Sequence, residues 1–387
     1  MSRHLFVVPP LTGHINPLRG VADRLAADGH QVAWAGHVPL LRELLGPQAQ
    51  LYDCAGPGDL TRPPDLLGPA AFRFLWEEFF VPLADAMAPG VAAAVEAFAP
   101  QVVVSDQHAV AGALVAERHG LPLFTSSTTS AELIDPLSSM PKVAAWLGDM
   151  LDGLRERHGD TRAHHDPRFS PHGVIAFTTA AFLGPDVEMP HERVHLVGPA
   201  IAPRASDADF PWEWLEEDGR RTVLVSLGTA NDDAGSRFLH EAVTALESLA
   251  ARVRGIVVDP AGVLPSELPE NVLALPRVPQ LPLLERLDAV VCHGGHNTVC
   301  ESLWHGVPLV VAPIRDDQPI VAGLVTGAGA GVRVRFTRVD AARLAKSIDA
   351  VLDASGGHAA AAHRIGETFR AAGGVRRAAG ILAEAAR

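Results

Sequence analysis

His14 stands in the run Pro9-Pro-Leu-Thr-Gly-His-Ile-Asn-Pro17, just after a short apolar stretch. Imidazole is the side chain best suited to take a proton from a hydroxyl near neutral pH. A position past a strand's carboxyl end is where parallel α/β domains hold their ligands. A histidine base works best with a carboxylate that fixes its tautomer and stabilises the charged ring. Asp106 closes the run Val102-Val-Val-Ser105. The carboxyl ends of parallel strands share one edge, so Asp106 can reach His14. The plainer readings are a histidine that only packs its loop and an aspartate that caps a helix over Ala109–His119. Gln107 and His108 follow Asp106, and His108 is a rival base.

A second group of residues runs from His293 to Gln318, HGGHNTVCESLWHGVPLVVAPIRDDQ. It follows the apolar run Asp288-Ala-Val-Val-Cys292, which reads as a buried parallel strand. His293-Gly294-Gly295 comes next, with a helix expected to begin near Asn297 or Thr298. Glycines let the backbone approach a bound group, and the free N–H groups and dipole of a new helix suit a diphosphate. A further strand, Pro308–Pro313, ends in Arg315-Asp316-Asp317-Gln318, whose carboxylates and amide suit the hydroxyls of a sugar. A phosphate grip and a hydroxyl grip one β-α-β unit apart describe a site for a nucleotide sugar. Thr298 and Glu301 also spell a capping box, the plainer alternative for both. His293 and His296 form an H-x-x-H pair without a third ligand at helical spacing, so no catalytic metal is expected. His158, His164, His165 and His172 are expected to lie in a solvated loop.

The elements that must position these residues follow from alternation. Apolar strands at Leu5–Val8, Gln31–Ala35, Val102–Ser105, Pro122–Thr125, Val174–Phe177 and His195–Gly198 alternate with helical patterns, the first over Pro17–Ala27. The second half repeats the scheme with strands at Thr222–Ser226, Gly255–Val258, Val272–Leu275, Ala289–Cys292, Leu309–Ala312 and Val332–Arg335. Such alternation predicts parallel sheets covered by helices on both faces. The chain has 387 residues, more than one core usually holds, so two domains are expected. The expected boundaries are 1–202, a linker at 203–220 rich in Pro, Trp and acid, 221–372, and a terminal helix at 373–387. Asp59–Met87 and Ser126–Ser170 break the rhythm and are expected to wall the substrate site.

Composition narrows the partners. The net charge of −13 argues against nucleic acid or an anionic membrane. Cys54, Cys292 and Cys300 form neither a disulfide framework nor a zinc spacing, which fits a reducing cytoplasm. Arg3 followed by Leu5–Val8 and Pro9-Pro10 is too short for a signal peptide. No apolar stretch reads as long enough to span a bilayer. Either a monomer or a homodimer fits.

His293, Gly295, Asn297, Thr298, Glu301, Gly306, Pro308, Asp317 and Gln318, with Val278-Pro279-Gln280 upstream, resemble the donor signature of inverting nucleotide-sugar glycosyltransferases of the GT-B fold. That large family includes plant secondary-product and bacterial macrolide enzymes, and the resemblance extends more thinly over most of the chain. It implies two Rossmann-like domains facing a cleft, acceptor on the first and nucleotide sugar on the second. It implies His14 as the base, Asp106 as its partner, and a terminal helix crossing back onto the first domain. On the donor side it implies Gly13, the loop Ser226-Leu227-Gly228-Thr229, His293, Gly294, Gly295, Asn297 and Thr298 near the diphosphate. Glu301 would bind the ribose, Asp317 and Gln318 the sugar, and Val278 with Gln280 the base. Arg277 stands where the family often has a stacking Trp; a guanidinium can stack too, and both UDP and dTDP remain open. The co-substrate would be a UDP- or dTDP-hexose, with no other cofactor.

Two rivals remain: a catalytically silent nucleotide-sugar-binding partner or activator, and a sugar-nucleotide epimerase of the same fold. His14 and Asp106 count against the first, and the GHINP loop gives the second no support. Phe72, Phe74, Trp76, Phe79, Phe80, Met140, Trp146 and Met150 suggest an apolar, small-molecule acceptor, such as a polyketide or phenol. Their plainer role is helix packing.

Overall fold

The structure, a computed structural model, describes all residues except 55, 57–62, 64, 65, 67, 135, 136, 186, 188, 190, 203–207, 216, 217, 229–234 and 387. It forms two compact units. The first comprises Met1–Thr179, Asp186–Ala202 and Ala372–Arg387; the second comprises Ala180–Pro185 and Pro203–Ala371.

The first unit is built on seven strands: β1 (Arg3–Val7), β2 (Gln31–Gly36), β3 (Leu51–Asp53), β4 (Val102–Asp106), β5 (Leu123–Ser127), β6 (Val174–Ala176) and β7 (Val194–Leu196). They lie in the order β3-β2-β1-β4-β5-β6-β7, and every pairing is parallel. Period-two alternation splits the strand side chains between two cores. Leu5, Val7, Ala33 and Val103 face the helices at Val81–Phe98, Val110–His119 and Pro141–His158. Phe6, Val8, Val102 and Val104 face the helices at Thr12–Ala27 and Gly374–Ala385. The chain's last helix thus belongs to the first unit, with Ala378, Ala379 and Leu382 buried beside Ile15, Leu18 and Val21.

The second unit carries β8 (Arg221–Ser226), β9 (Val253–Val258), β10 (Val272–Leu275), β11 (Ala289–Cys292), β12 (Leu309–Val311) and β13 (Gly331–Arg333). Their order is β10-β9-β8-β11-β12-β13, again all parallel. Helices at His296–Trp304, Gln318–Gly327 and His358–Ala371 cover one face, and helices at Ser236–Ser248 and Ala341–Leu352 the other. These are two doubly wound α/β units, as strand-helix alternation predicts.

Four expectations change. The described part of the expected 203–220 linker does more than link: Trp212–Leu215 is a 3-10 turn, and Phe210 and Leu215 are buried in the second unit's core. Arg254 pins this turn, donating to the Trp214 carbonyl at 2.7 Å with its guanidinium over the Trp214 ring. The first helix begins at Thr12 instead of Pro17, so His14 sits on its first turn. Pro17 lies inside it and forgoes a single bond, to the carbonyl of Gly13.

Residues 68–98 form one continuous helical stretch, long and apolar enough by length and composition to cross a membrane, contrary to the sequence reading. Its inward residues, among them Trp76, Leu83, Met87 and Val91, are core. Its middle, Leu75–Phe80, is π-helical. Finally, His158 and His165 are not simply solvated. His158 meets Asp85 at 2.7 Å and His165 meets Glu117 at 3.0 Å, because carboxylates on the neighbouring helices face them.

Candidate active site

In the first unit β1 and β4 run side by side, with Val7 opposite Ser105, so their carboxyl ends meet at one edge. His14 and Asp106 meet there. The His14 Nδ1 is 3.0 Å from both Asp106 carboxylate oxygens. A carboxylate only accepts, so the proton belongs on Nδ1 and the Nε2 lone pair is left to receive another. Thr128, just past β5, lies 2.8 Å from the same Nδ1 and donates to Asp106 Oδ2 at 3.1 Å. The His108 backbone N–H donates to Oδ1 at 2.9 Å. Asp106 therefore does not cap the following helix, which begins at Val110 after Ala109 without a side-chain cap. The Asp106 side chain is fully buried while that of His14 keeps 18% exposure, which suits a base open on one side.

A layer that sequence reasoning did not assign lies behind this pair. His108 Nε2 meets Glu132 at 2.7 Å, and Arg168 donates to the other Glu132 oxygen at 3.0 Å. Phe80 stacks on the His108 ring, with centroids 4.4 Å apart, and the His14 ring is 5.1 Å away. Burial alone would push the His108 imidazolium down, but the Glu132 and Asp106 charges outweigh it and raise its pKa above 6.5. Burial likewise opposes the Glu132 carboxylate, and His108 and Arg168 overcome it, drawing Glu132 from 4.5 to about 2. His14, Asp106 and His108 also offer one metal-ligand atom each within 4.8 Å of one another. The ring nitrogens His14 Nδ1 and His108 Nε2 already meet carboxylates, so the set fits a proton network.

In the second unit Cys292 pairs with Ser226 across β11 and β8, which sets His293 beside Gly228. A Cβ on Gly228 would stand 2.6 Å from the His293 ring, and one on Gly295 2.4 Å from it. These glycines accommodate an imidazole, a tighter demand than close approach to a ligand. Burial lowers His293 to about 4, against a hydrogen bond with the Ser226 backbone that raises it. The ring is neutral at pH 7, and its buried Nδ1 has no partner among the described residues. The helix begins at His296, after Gly295, without a side-chain cap. Thr298 and Glu301 therefore do not form the capping box. Asn297 and Thr298 are half-buried in the first turn.

Glu301 instead accepts from Gln280, Nε2 to Oε2 at 2.6 Å. Gln280 opens the short helix Gln280–Leu284. Val278 packs on the core, whereas Arg277 is exposed. Gln318 Oε1 receives the amides of Ile314 and Arg315 at 2.8 and 3.1 Å. It thereby holds the turn after β12. Asp316 takes a positive φ of 57° there, which aspartate tolerates, and half-buried Asp317 precedes the helix. Thr229 lies outside the described residues.

The C-terminal domain family described as Erythromycin biosynthesis protein CIII-like matches residues 244–374. The 4'-demethylrebeccamycin synthase of Lentzea aerocolonigenes is 30% identical, covering 91% of this chain and 92% of that protein. The chain belongs to the GT-B glycosyltransferases. The oleandomycin glycosyltransferase of Streptomyces antibioticus is 29% identical over 96% of this chain and 87% of its own. The solved glycotransferase of kitacinnamycin is 26% identical, covers 99% of this chain and 98% of that one, and has a TM-score of 0.79.

This glycosyltransferase thus carries a histidine-carboxylate-threonine group on its first unit and a glycine-framed, neutral histidine on its second. Thr128 and Glu132 escaped sequence reading because they lie in the insertion after β5, where no periodicity marks them. Asp259, whose carboxylate accepts the amides of Val263 and Leu264 at 3.0 and 2.9 Å, lines a recess beside Gly228 and was likewise unmarked. Among the acceptor-wall candidates, Trp76 and Phe80 are core, and Phe72, Phe79, Trp146 and Met150 pack against them.

Proposed function

We propose that this glycosyltransferase moves a hexose from a UDP- or dTDP-sugar to a hydroxyl of an apolar natural-product, polyketide or phenolic acceptor, inverting the anomeric carbon. The contact of His14 Nδ1 with Asp106 supports this reading most directly, since it leaves Nε2 ready to accept the hydroxyl proton. As the acceptor oxygen attacks, the C–O bond to the diphosphate breaks and the proton passes to His14, whose new charge Asp106 balances. The backbone N–H groups of the turn at His296–Thr298, beside the neutral His293 ring, would steady the departing diphosphate as hydrogen-bond donors. Glu301, braced by Gln280, would take the ribose, and Asp317 with the Gln318 amide the sugar. No metal is assigned a role. The names of the 4'-demethylrebeccamycin and oleandomycin relatives support a natural-product acceptor.

His14→Ala should lower transfer about a hundred- to ten-thousand-fold while nucleotide binding persists. Turnover of UDP-glucose and dTDP-glucose with a naphthol, together with thermal shifts by UDP and dTDP with and without EDTA, checks this. Full activity in the variant would refute the base, and loss of turnover with EDTA would refute the metal-free reading.

A further inference from the structure

The insertion between β5 and β6 brings to the dyad two charged side chains that the transfer reaction does not use. Glu132 lies on the 3-10 turn Glu132–Ile134 and Arg168 on the turn that follows Asp166. A carboxylate only accepts, so His108 Nε2 donates to one Glu132 oxygen at 2.7 Å and Arg168 Nη1 to the other at 3.0 Å. Arg168 turns its Nε and Nη2 to Asp166, at 3.1 and 2.7 Å. Another ion pair of the same unit gives a measure of a sealed contact: Glu117 and Arg155 keep 8% and 5% exposure. Glu132 and Arg168 keep 16% and 11%, against 18% for His14. The pair is nearly as open as the base beside it.

The surroundings are aromatic. Arg168 lies 5.6 Å over the Trp76 ring, Phe80 stacks on His108 at 4.4 Å, and Phe72 meets Trp76 and Trp146 at 6.4 and 6.1 Å. Small-molecule sites are mostly apolar with a few placed polar groups, and a carboxylate set among rings has that composition. What this layer can offer a ligand is a hydrogen-bond acceptor. An ionised glutamate has about four lone-pair sites on its two oxygens, and His108 and Arg168 engage one on each. The Arg168 guanidinium, by contrast, is turned to carboxylates. The His108 ring spans the distance to the base, with its centroid 5.1 Å from that of His14 and its Nε2 on Glu132. A hydroxyl at His14 and a polar group at Glu132 thus lie within the span of two fused rings.

We propose that Glu132 is an acceptor-specificity residue: it receives a second hydroxyl or N–H of the acceptor, across a fused ring from the hydroxyl held at His14. This rests on the reading of His14 as the base and of the first unit as the acceptor's. It narrows the substrate class from apolar phenols and polyketides to those that carry a second hydrogen-bond donor. His108 and Arg168 already hold the carboxylate in place, so the acceptor's bond forms without the cost of ordering a side chain. The selection is for a donor and not for polarity as such. A methoxy or carbonyl oxygen brought to the same place would face a carboxylate lone pair with no hydrogen between them.

The test compares acceptors on the full chain with UDP-glucose or dTDP-glucose: naphthol, the dihydroxynaphthalenes and their monomethyl ethers. At least one diol should exceed both naphthol and its own methyl ether in kcat/KM by about tenfold, mainly through acceptor KM, as a hydrogen bond to a charged group allows. Diols no better than naphthol, or a methyl ether equal to its diol, overturn the proposal. Glu132→Gln also disturbs the contacts with His108 and Arg168, so each protein is judged by its own ratio of diol to naphthol. That ratio should fall to about threefold or less in the variant. An equal loss on both acceptors, with the ratio kept, means a merely structural role and overturns the proposal. Calorimetry of acceptor binding without donor keeps the two readings apart and needs only the wild-type chain. If no naphthol is glycosylated, the functional reading fails, yet a diol that binds about tenfold more tightly than its methyl ether still supports the site. Equal binding of the two overturns it.

Discussion

One missing Cβ decides where His293 can stand. Gly295 has φ −61° and ψ 133°, a conformation open to any residue, so its need for glycine is purely steric. Gly295→Ala would press a methyl to 2.4 Å from the imidazole. The ring must turn away, and the expected cost is about 1–3 kcal/mol of stability. The thermal shift by UDP or dTDP should shrink with it, and melting with and without nucleotide measures both. This role was half legible in the sequence. The motif marks Gly294 and Gly295 as places where something approaches closely, but only the folded chain shows that it is the His293 ring at Gly295 and the Val311 side chain at Gly294. His14 and Asp106 were legible as a pair because each follows an apolar run that could only be a strand. Thr128 was not, since a hydroxyl in the run Ser126-Ser-Thr-Thr-Ser130 looks like its neighbours until the chain folds.

At the scale of elements, the 3-10 turn at Glu132, the segment after β4 and the turn at Asp166–Arg168 are joined by charge. Glu132 is drawn from 4.5 to about 2 chiefly against its own burial, by His108 and Arg168. A carboxylate whose pKa falls on folding adds stability above its unfolded value, and this is lost as pH falls from about 4.5 toward 2. His108 has the opposite sign. Its raised pKa adds stability fully present below 6.5 and lost as pH climbs through the folded value. Glu132→Gln should therefore be destabilised most between these limits, by about 3–5 kcal/mol for a broken buried pair. Its deficit against wild type should narrow below pH 4.5; chemical denaturation at stepped pH would reveal an unnarrowed gap if the pairing is misread. Element boundaries followed the same logic. β3, with three residues at the sheet edge, is too short to carry a period, and the early start of the first helix was hidden by Pro17.

Over the whole molecule, the first unit is closed by both ends of the chain. Leu382, 1% exposed, packs with Ile15, Leu18 and Val21, and Gly374 N–H donates to the Val197 carbonyl at 2.6 Å. Leu382→Ala should cost about 2–5 kcal/mol and loosen the helix that carries His14. Melting and proteolysis of the full chain should show it, and an unchanged melt would mean the terminal helix is dispensable. The sequence by itself determined the two parallel-sheet units, the strands that end at the site and the donor motif, because burial and period are local properties that neighbouring residues declare. Only the tertiary structure decided that His108, Glu132, Arg168 and Phe80 meet behind the base, that Gln280 braces Glu301, and that Gln318 spends its carbonyl on a turn. The first two join residues from separate elements and the third depends on how the turn after β12 closes, and which side chain a hydrogen bond or charge selects is settled by the packing that brings them within reach.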